Sequence, residues 1–599
     1  MKKLKREYGP YAFPTKDLSD KGMATTEEKL LNPDCNDGHL KNGIIVSTDG
    51  GGDGDNRENQ QTAETLIYKV TDNPPIHLSL MFAFQQALLS LANQLALSLM
   101  VAQAVCGEKN DMFKTQLLSS TLFMDGVTTL MMVLFGVRLP LFQGAAFEYV
   151  VPLLALQTLD PDRCNNDLST GSLMCAGAIH FLVGATGLVG FLLRFVGPVT
   201  IVPAILLIGI YMTRTAVKFI EVHWGIGILT AACSIILSLY LAKFKLPIPV
   251  WTRKRGCHVI RYPLHQVFAI LIGIMIGWAV SGILTAAGNI TNDPDNIGYR
   301  ARTDIGQEAI NKAKWFYFPY PGQFGAPGFS VSVTAGFLIA TLISILDSIG
   351  DYYACAKTCN VPPPPSHAMN RGIAVEGLCT FMSGIVGCGH ATSTYGGNVG
   401  AIGITKVGSR QVFIFVGIIY IAFGLIEKFS AVFITIPYPV LGGALITMFG
   451  MFIGVILSNL QYMSLVSTRN IAIVGISILV GLMVPYWIEL RPNAVQTGNN
   501  DADRILRTLL GNANLAGAVL ACFLDNTIPG TREERGITAW QAPDKVDANV
   551  KYDNGLEVYE PLFLSRWRDS RVLKYIPFLP DPSPVKKRKV HKFQENSTV

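Results

Sequence analysis

The chain has 599 residues, half of them hydrophobic and only 15% charged, and its mean hydropathy is +0.35. Soluble domains carry about 25% charge, so a large soluble enzyme, a disordered chain and a collagen are excluded. The net charge of +6 is small for this length and gives no argument for a nucleic-acid partner.

Residues 1–73 are polar, with the run DGGGDGDN at 49–56, and are predicted to form a disordered tail. The basic start MKKLKREYGP is followed by no apolar h-region. No cleavable signal is therefore expected, and the first membrane helix must direct insertion. Fourteen apolar segments follow: 78–103, 119–136, 139–156, 172–195, 197–213, 224–242, 264–288, 331–356, 368–389, 392–407, 411–436, 439–460, 470–488 and 507–529. A bilayer-crossing helix needs about 20 apolar residues, so the predicted fold is an all-α polytopic membrane protein. Two segments are abnormal. Segment 139–156 opens with Pro140 and carries Glu148, and segment 392–407 is glycine-rich and barely apolar. Irregular backbone at membrane depth is tolerated only where protein buries it or a cavity runs beside it.

The two halves correspond. The abnormal segments are third in each set of seven, and the segments before them carry Asp125-Gly126 and Glu376-Gly377. Because seven is odd, the second half runs upside down, a 7+7 inverted repeat. Paired interrupted segments in such a repeat point to a transporter's binding site. The loop 243–263 holds Lys243, Lys245, Arg253, Lys254, Arg255 and Arg261 without an acid. Placed inside by the positive-inside rule, it puts both termini in the cytoplasm, including a tail at 531–599. Loop 289–330, with the sequon at Asn289, and the acidic loop 157–171 then lie outside. The sequon at Asn596 would lie inside and stay unmodified. The basic PVKKRKV at 584–590 reads as a segment beside anionic lipid rather than a nuclear import signal.

Eleven cysteines are scattered with no CxxC pair. Cys355 and Cys359 sit one helical turn apart, a weak zinc pattern without a second ligand pair. Cys164 and Cys175 flank an outside loop and are candidates for a disulfide.

Ionisable groups at membrane depth are costly and usually functional. Asp347 and Asp351, four apart, share one helix face. They suit a coupling-ion site, the plain alternative being a solvated helix end, for which Lys357 argues. Asp125 and Glu376 are expected either at such a site or bonded to glycine-rich backbone or Arg371. His180 reads as a helix-packing residue and His390 as a further buried candidate, while Glu148 faces either a cavity or the membrane surface. Gln85, Gln86, Asn93 and Gln94 make the first segment polar, through bonds between helices or contact with a solute. The glycines of 392–407 let backbone approach a ligand. A half-helix starting near Asn398 and another from 144–147 would aim N–H groups and positive dipole ends at a cavity. No nucleotide-binding or hydrolytic signature occurs, so neither an enzyme nor an ATP-driven pump is expected.

The strings LPLFQGAAF (139–147), LISILDSIGDYYACA (342–356), VPPPPSHAMNRGIAVEG (361–377), GNVGAIGITKVGSR (397–410), LSNLQYMSLVSTRN (457–470) and LDNTIPGTREERG (524–536) resemble the nucleobase–ascorbate transporter family, especially its animal sodium-dependent vitamin C branch, over about residues 74–580. The resemblance implies a core domain (74–196 and 331–436) sliding against a gate domain (197–330 and 437–530), in a homodimer in the plasma membrane. Segments three and ten become a short strand plus half-helix each. It places the substrate-binding acid at Asp347, with Asp351 one turn on. Asn398, Gly400, Thr405 and Lys406 fit the family signature. Three departures stand out. Gly397 occupies the first signature position, Asp347 replaces the usual Glu, and Gln85-Gln86 replaces a Gln-His pair. The implied function is sodium-coupled uptake of L-ascorbate, with no cofactor beyond the transported Na⁺. Asp347 would accept hydroxyl protons, and backbone N–H groups of Ala145, Ala146, Phe147, Asn398 and Gly400 would hold enolate oxygens. Gly397 would leave room for the side chain, Gln85 and Gln86 would complete the site, and Asp351 with Asp347 would hold the coupling ion. A nucleobase or urate carrier is the alternative, and a membrane scaffold without transport the third reading.

Overall fold

The computed structural model describes residues 66–579 apart from 108, 151, 154–169, 253–255, 263, 459, 461–462, 492–493, 538–551 and 562–576. The proposed tail up to residue 65, Cys164, the basic Arg253–Arg255 run, the 584–590 motif and Asn596 lie outside the described residues, as does nearly all of the acidic loop.

Helices dominate. Six among the described residues are long and apolar enough to cross a membrane, or up to seven if the pair Arg410–Leu425 and Glu427–Ile434, bent by 81°, is one span. Some begin at a side-chain cap. Asn110 accepts from the Phe113 N–H at 3.1 Å to start Asp111–Leu134, and Asn512 does the same from Leu515 for Ala513–Thr527, each satisfying an orphan donor of the first turn. Gly387, at φ +89°, ends Ser366–Val386. Helices or short strands among the described residues fall within the apolar segments read from the sequence, part of the segment 139–156 lying outside the described residues. The last is split into Asn500–Leu510 and Ala513–Thr527, and the fourth into Thr170–Thr186 and Val189–Phe195.

Several helix pairs pack backbone on backbone, two of them related by the halves of the sequence. On Thr170–Thr186 against Ser366–Val386, a Cβ at Gly184 would lie 2.3 Å from Ala374 N and one at Gly377 2.1 Å from Phe181 N. On Asp111–Leu134 against Arg410–Leu425, a Cβ at Gly126 would lie 2.6 Å from Gly417 O. Small residues at such seams are how helices gain contact in lipid, where no hydrophobic drive exists between them.

The two abnormal segments meet. Gln143–Ala145 and Thr392–Thr394 form an antiparallel two-stranded sheet with Gly144 opposite Ser393. Each strand runs into helix, at residues 147–150 and at Gly396–Thr405.

Three features depart from the sequence expectation. The basic loop 243–263 contains a hairpin, Leu246–Thr252 with Gly256–Tyr262; its alternation is masked by Pro247 and Pro249. Residues 67–70, assigned to the tail from sequence, pack on the membrane helices: Val70 is fully buried, Tyr68 bridges Val407, and Ile67 donates to Lys406 O at 2.8 Å. At the other end, Val558 and Tyr559 are buried in a short clamp. The Arg371 Nη2 donates to Tyr559 O at 2.6 Å, Arg410 Nη2 to Val558 O at 2.9 Å, and Arg138 to Glu560 O.

Candidate solute cavity

The helix Val331–Thr358 carries Asp347 and Asp351 on one face, with Leu346, Gly350 and Ala354 beside them. That face borders a cavity of about 330 Å³. The opposite rims come from the strand–helix junctions, Gly144–Glu148 on one side and Ser393–Gly397 with Gly400, Ala401 and Ile404 on the other. The remaining wall is mostly apolar, from Ile201, Ile205, Ala269, Ile270, Met448, Phe449 and neighbours, with Asn93, Ser238 and Gln266 as its polar members. The acids therefore face a cavity in mid-helix. The solvated helix end is not what is observed, since the helix runs on past Asp351 to Thr358.

Local chemistry orders the rims. The half-helix begins at Gly396, two residues before Asn398. A Cβ on Gly396 would lie 2.8 Å from Asp351 Oδ1, so the Asp351 carboxylate rests against the positive end of that helix. Such placement stabilises a carboxylate by about 0.3–1 kcal/mol at exposed sites and more when partly buried. Nothing lies within 4 Å of a Cβ at Gly400, whereas one at Gly397 would meet the Tyr395 ring at 2.6 Å. Room at Gly397 is thus bounded by Tyr395, and the open position is Gly400.

Of the sequence-derived solute residues, Asp347, Ala145, Ala146, Phe147, Gly397 and Gly400 border the cavity, as does Asp351. Asn398, Gln85 and Gln86 do not: all are buried beside it. Asn398 Nδ2 donates to Gln86 Oε1 at 2.8 Å and to Gln86 O at 3.1 Å, tying the half-helix to Ile76–Ala104. Two of the expected backbone donors are already used. The Ala145 N–H donates to Gln94 Oε1 at 2.8 Å and the Ala146 N–H to Ala391 O at 3.0 Å. One is taken by the Gln94 side chain of the first helix and one by the backbone just before the partner strand, and sequence spacing alone does not reveal those partners.

Sequence reading left Glu148 open between cavity and membrane surface; it borders the cavity and is 4% exposed. Asn93 borders it too; the polarity of its helix was the signal, but not its direction. Met448, Phe449 and Phe452 gave no signal, being ordinary apolar residues of a span. Glu376 is one residue removed. Its Oε1 accepts from Tyr352 at 2.8 Å and from the cavity-lining Thr394 at 2.9 Å, and its Oε2 is 4.0 Å from His180 Nε2. Arg371, expected as its partner, instead donates to Gly136 O and Tyr559 O. His390 bonds Thr121 and Ala391 O, and neither Asp125 oxygen has a hydrogen-bond partner among the described residues.

The cysteine expectations need revision. Cys175 is a free thiol, so it does not pair with Cys164; Cys106 is the disulfide-bonded residue. Cys355 and Cys359 lie 3.9 Å apart, sulfur to sulfur, as free thiols. Among the described residues no three His, Cys, Asp or Glu side chains converge on a metal position.

The model of a family described as a permease family matches residues 77–490. Solute carrier family 23 member 2 of Mus musculus is 37% identical over 537 residues, 86% of this chain and 82% of that protein. Nucleobase-ascorbate transporter 1 of Arabidopsis thaliana is 31% identical over 497 residues, 80% of this chain and 92% of that one. Among solved structures, the transmembrane domain of a cyanobacterium bicarbonate transporter aligns with a TM-score of 0.46 at 14% identity, covering 69% of this chain and 98% of that one. With apolar helices of spanning length, a cavity bordered by three acids, and this match over most of its length, the chain belongs to the permease family of nucleobase–ascorbate transporters and is a multi-pass membrane transporter.

Proposed function

We propose that the protein is a sodium-coupled symporter for L-ascorbate, in which a core (74–196 and 331–436) carries the solute past a gate (197–330 and 437–530) by an elevator movement. The observation that carries this reading is the make-up of the cavity wall. Its three acids and its glycine-rich rims come from the core segments, and the facing wall, mostly apolar but with Ser238 and Gln266, comes from the gate segments, so sliding one past the other would expose the acids to each side in turn. The volume of about 330 Å³ falls in the range of small-molecule sites, roughly 300–1,000 Å³. Asp347 would accept hydroxyl protons of the sugar-like solute, and Phe147 and Gly400 would set its depth.

Sodium coupling follows from charge. Bringing a monoanion inward against the potential costs about 2.3 kcal/mol per 100 mV, and more than one sodium ion offsets this. An inverted 7+7 repeat is supported by the two glycine seams. Exchanging the halves turns the pair 170–186/366–386 into the pair 410–425/111–134, and both seams are tight. The homodimer, the plasma membrane and the cytoplasmic termini belong to the same reading.

The alternative, a nucleobase or urate carrier, is favoured by one feature: four aromatic residues, Phe147, Tyr395, Phe449 and Phe452, line the cavity, a wall suited to a planar solute. Uptake of labelled ascorbate into cells expressing the chain, in sodium and with sodium replaced by choline, decides between them when excess uracil, xanthine and urate are added. Sodium-dependent ascorbate uptake indifferent to the bases upholds the proposal. Accumulation of a labelled base without ascorbate uptake overturns it in favour of the alternative.

A further inference from the structure

The cavity is bordered by Asp347, Asp351 and Glu148 and, among the described residues, by no Lys, Arg or His. Their charges are handled differently. Asp351 lies against the N-terminus of the 396–405 helix. Asp347 is the acid assigned to solute hydroxyls. Glu148 has neither role. It is 4% exposed, and its Oε2 has no hydrogen-bond partner among the described residues. The first turn of its own half-helix gives partial relief, but a buried carboxylate without a counter-charge is strongly disfavoured.

The groups of either sign around it do not repair this. Asp347 and Asp351 across the cavity and Glu376 behind it are all acids within electrostatic range of one another, and its neighbours Tyr149 and Tyr395 carry no charge to offer. Asn93, 1% exposed and also bordering the cavity, has both side-chain polar atoms unpartnered among the described residues. It supplies a neutral oxygen to the same space. Since no three acids converge on one point, a divalent ion held by carboxylates is not what this arrangement fits. A singly charged cation with mixed oxygen ligands is.

We propose that Glu148 is an additional cation-loading carboxylate of the cavity, taking on one monovalent cation, a sodium ion or a proton, in each transport cycle beyond those served by Asp347 and Asp351. The inference rests on the coupled-transport reading above but not on ascorbate being the solute. Three acids and an anionic solute in one cavity need more positive charge than two acids do. Glu148 raises the number of cations that accompany the solute by one.

The test needs no solute. The full-length chain is purified in detergent, and its melting temperature is followed as sodium chloride replaces choline chloride at constant ionic strength, at neutral and at mildly acidic pH. If sodium is the cation, Glu148→Gln raises the half-saturating sodium concentration about tenfold, as expected for loss of a charged ligand. Glu148→Asp then stays nearer the parent, which separates lost charge from damaged packing. If the proton is the cation, the sodium curve is unmoved but acid stabilisation present in the parent is lost in Glu148→Gln. A Glu148→Gln protein that matches the parent in both titrations overturns the inference. A parent that responds to neither ion overturns the coupled reading itself, and a parent that binds sodium but takes up no ascorbate refutes only the choice of solute.

Discussion

Asn398 belongs to the most specific motif in the chain, yet its amide points away from the cavity and holds Gln86 at 2.8 Å. Its work is to fix the half-helix in place. Replacing it with Ala leaves a buried amide oxygen and a carbonyl without that donor, a loss of about 1–3 kcal/mol. We expect Asn398→Ala to reach the surface, to melt earlier, and to show a raised KM in a solute-uptake assay, because the rim of the cavity is no longer held. Gly400 is the opposite case. A Cβ there meets nothing within 4 Å, so Gly400→Val projects into open cavity. Fluorescence-detected melting should be nearly unchanged while uptake falls at least tenfold, the signature of a blocked site rather than a damaged fold. The motif was legible in the sequence, but these directions were not. The deciding partner of Asn398 is 312 positions away, and nothing in the local pattern reports which side of a short helix meets the void. Asp347 and Asp351 were legible because four-residue spacing fixes a common face and acids in an apolar run are rare.

At the scale of elements, the glycine seams carry the packing. Gly377 leaves room for the backbone of the 170–186 helix, and any side chain there must push two main chains apart. Overpacking typically costs about 1–3 kcal/mol, and rigid backbone gives little relief. Gly377→Leu should therefore be retained inside the cell and absent from surface biotinylation. Gly475→Leu, on Thr468–Leu490 with nothing within 4 Å of its Cβ, should be present at the parent's level. Hydropathy located the helices themselves well, since bilayer length and apolar composition act on each segment alone. It failed for the 246–262 hairpin, where two prolines break the alternation, and for the 556–560 clamp, where the buried pair Val558 and Tyr559 is too short to form a period.

For the whole molecule, the cavity is a property of pieces far apart in sequence. Its acids were readable one by one. Its apolar wall was not, because Phe449 or Met448 is an ordinary member of a span until something faces it. Sidedness is checked at Asn289, which is exposed in the structure and carries the sequon of the loop assigned to the outside. Endoglycosidase treatment should increase the gel mobility of the parent chain. Asn289→Gln should already run at the faster position with no further shift. A parent chain that carries no glycan would place that loop inside and reverse the orientation.

The clamp at residues 556–560 also bears on how the molecule is made. Arg138 and its acceptor Glu560 O are 422 positions apart. Arg371 and Arg410 likewise reach for carbonyls of the same late segment, and the Tyr559 hydroxyl donates to Pro362 O at 2.5 Å. Three guanidinium groups are thus left without their final acceptors throughout synthesis of the spans, and are satisfied only once the last part of the chain has left the ribosome. A chain truncated before residue 556 would leave these three side chains without those acceptors, and is expected to melt earlier than the full-length chain in a fluorescence-detected thermal scan.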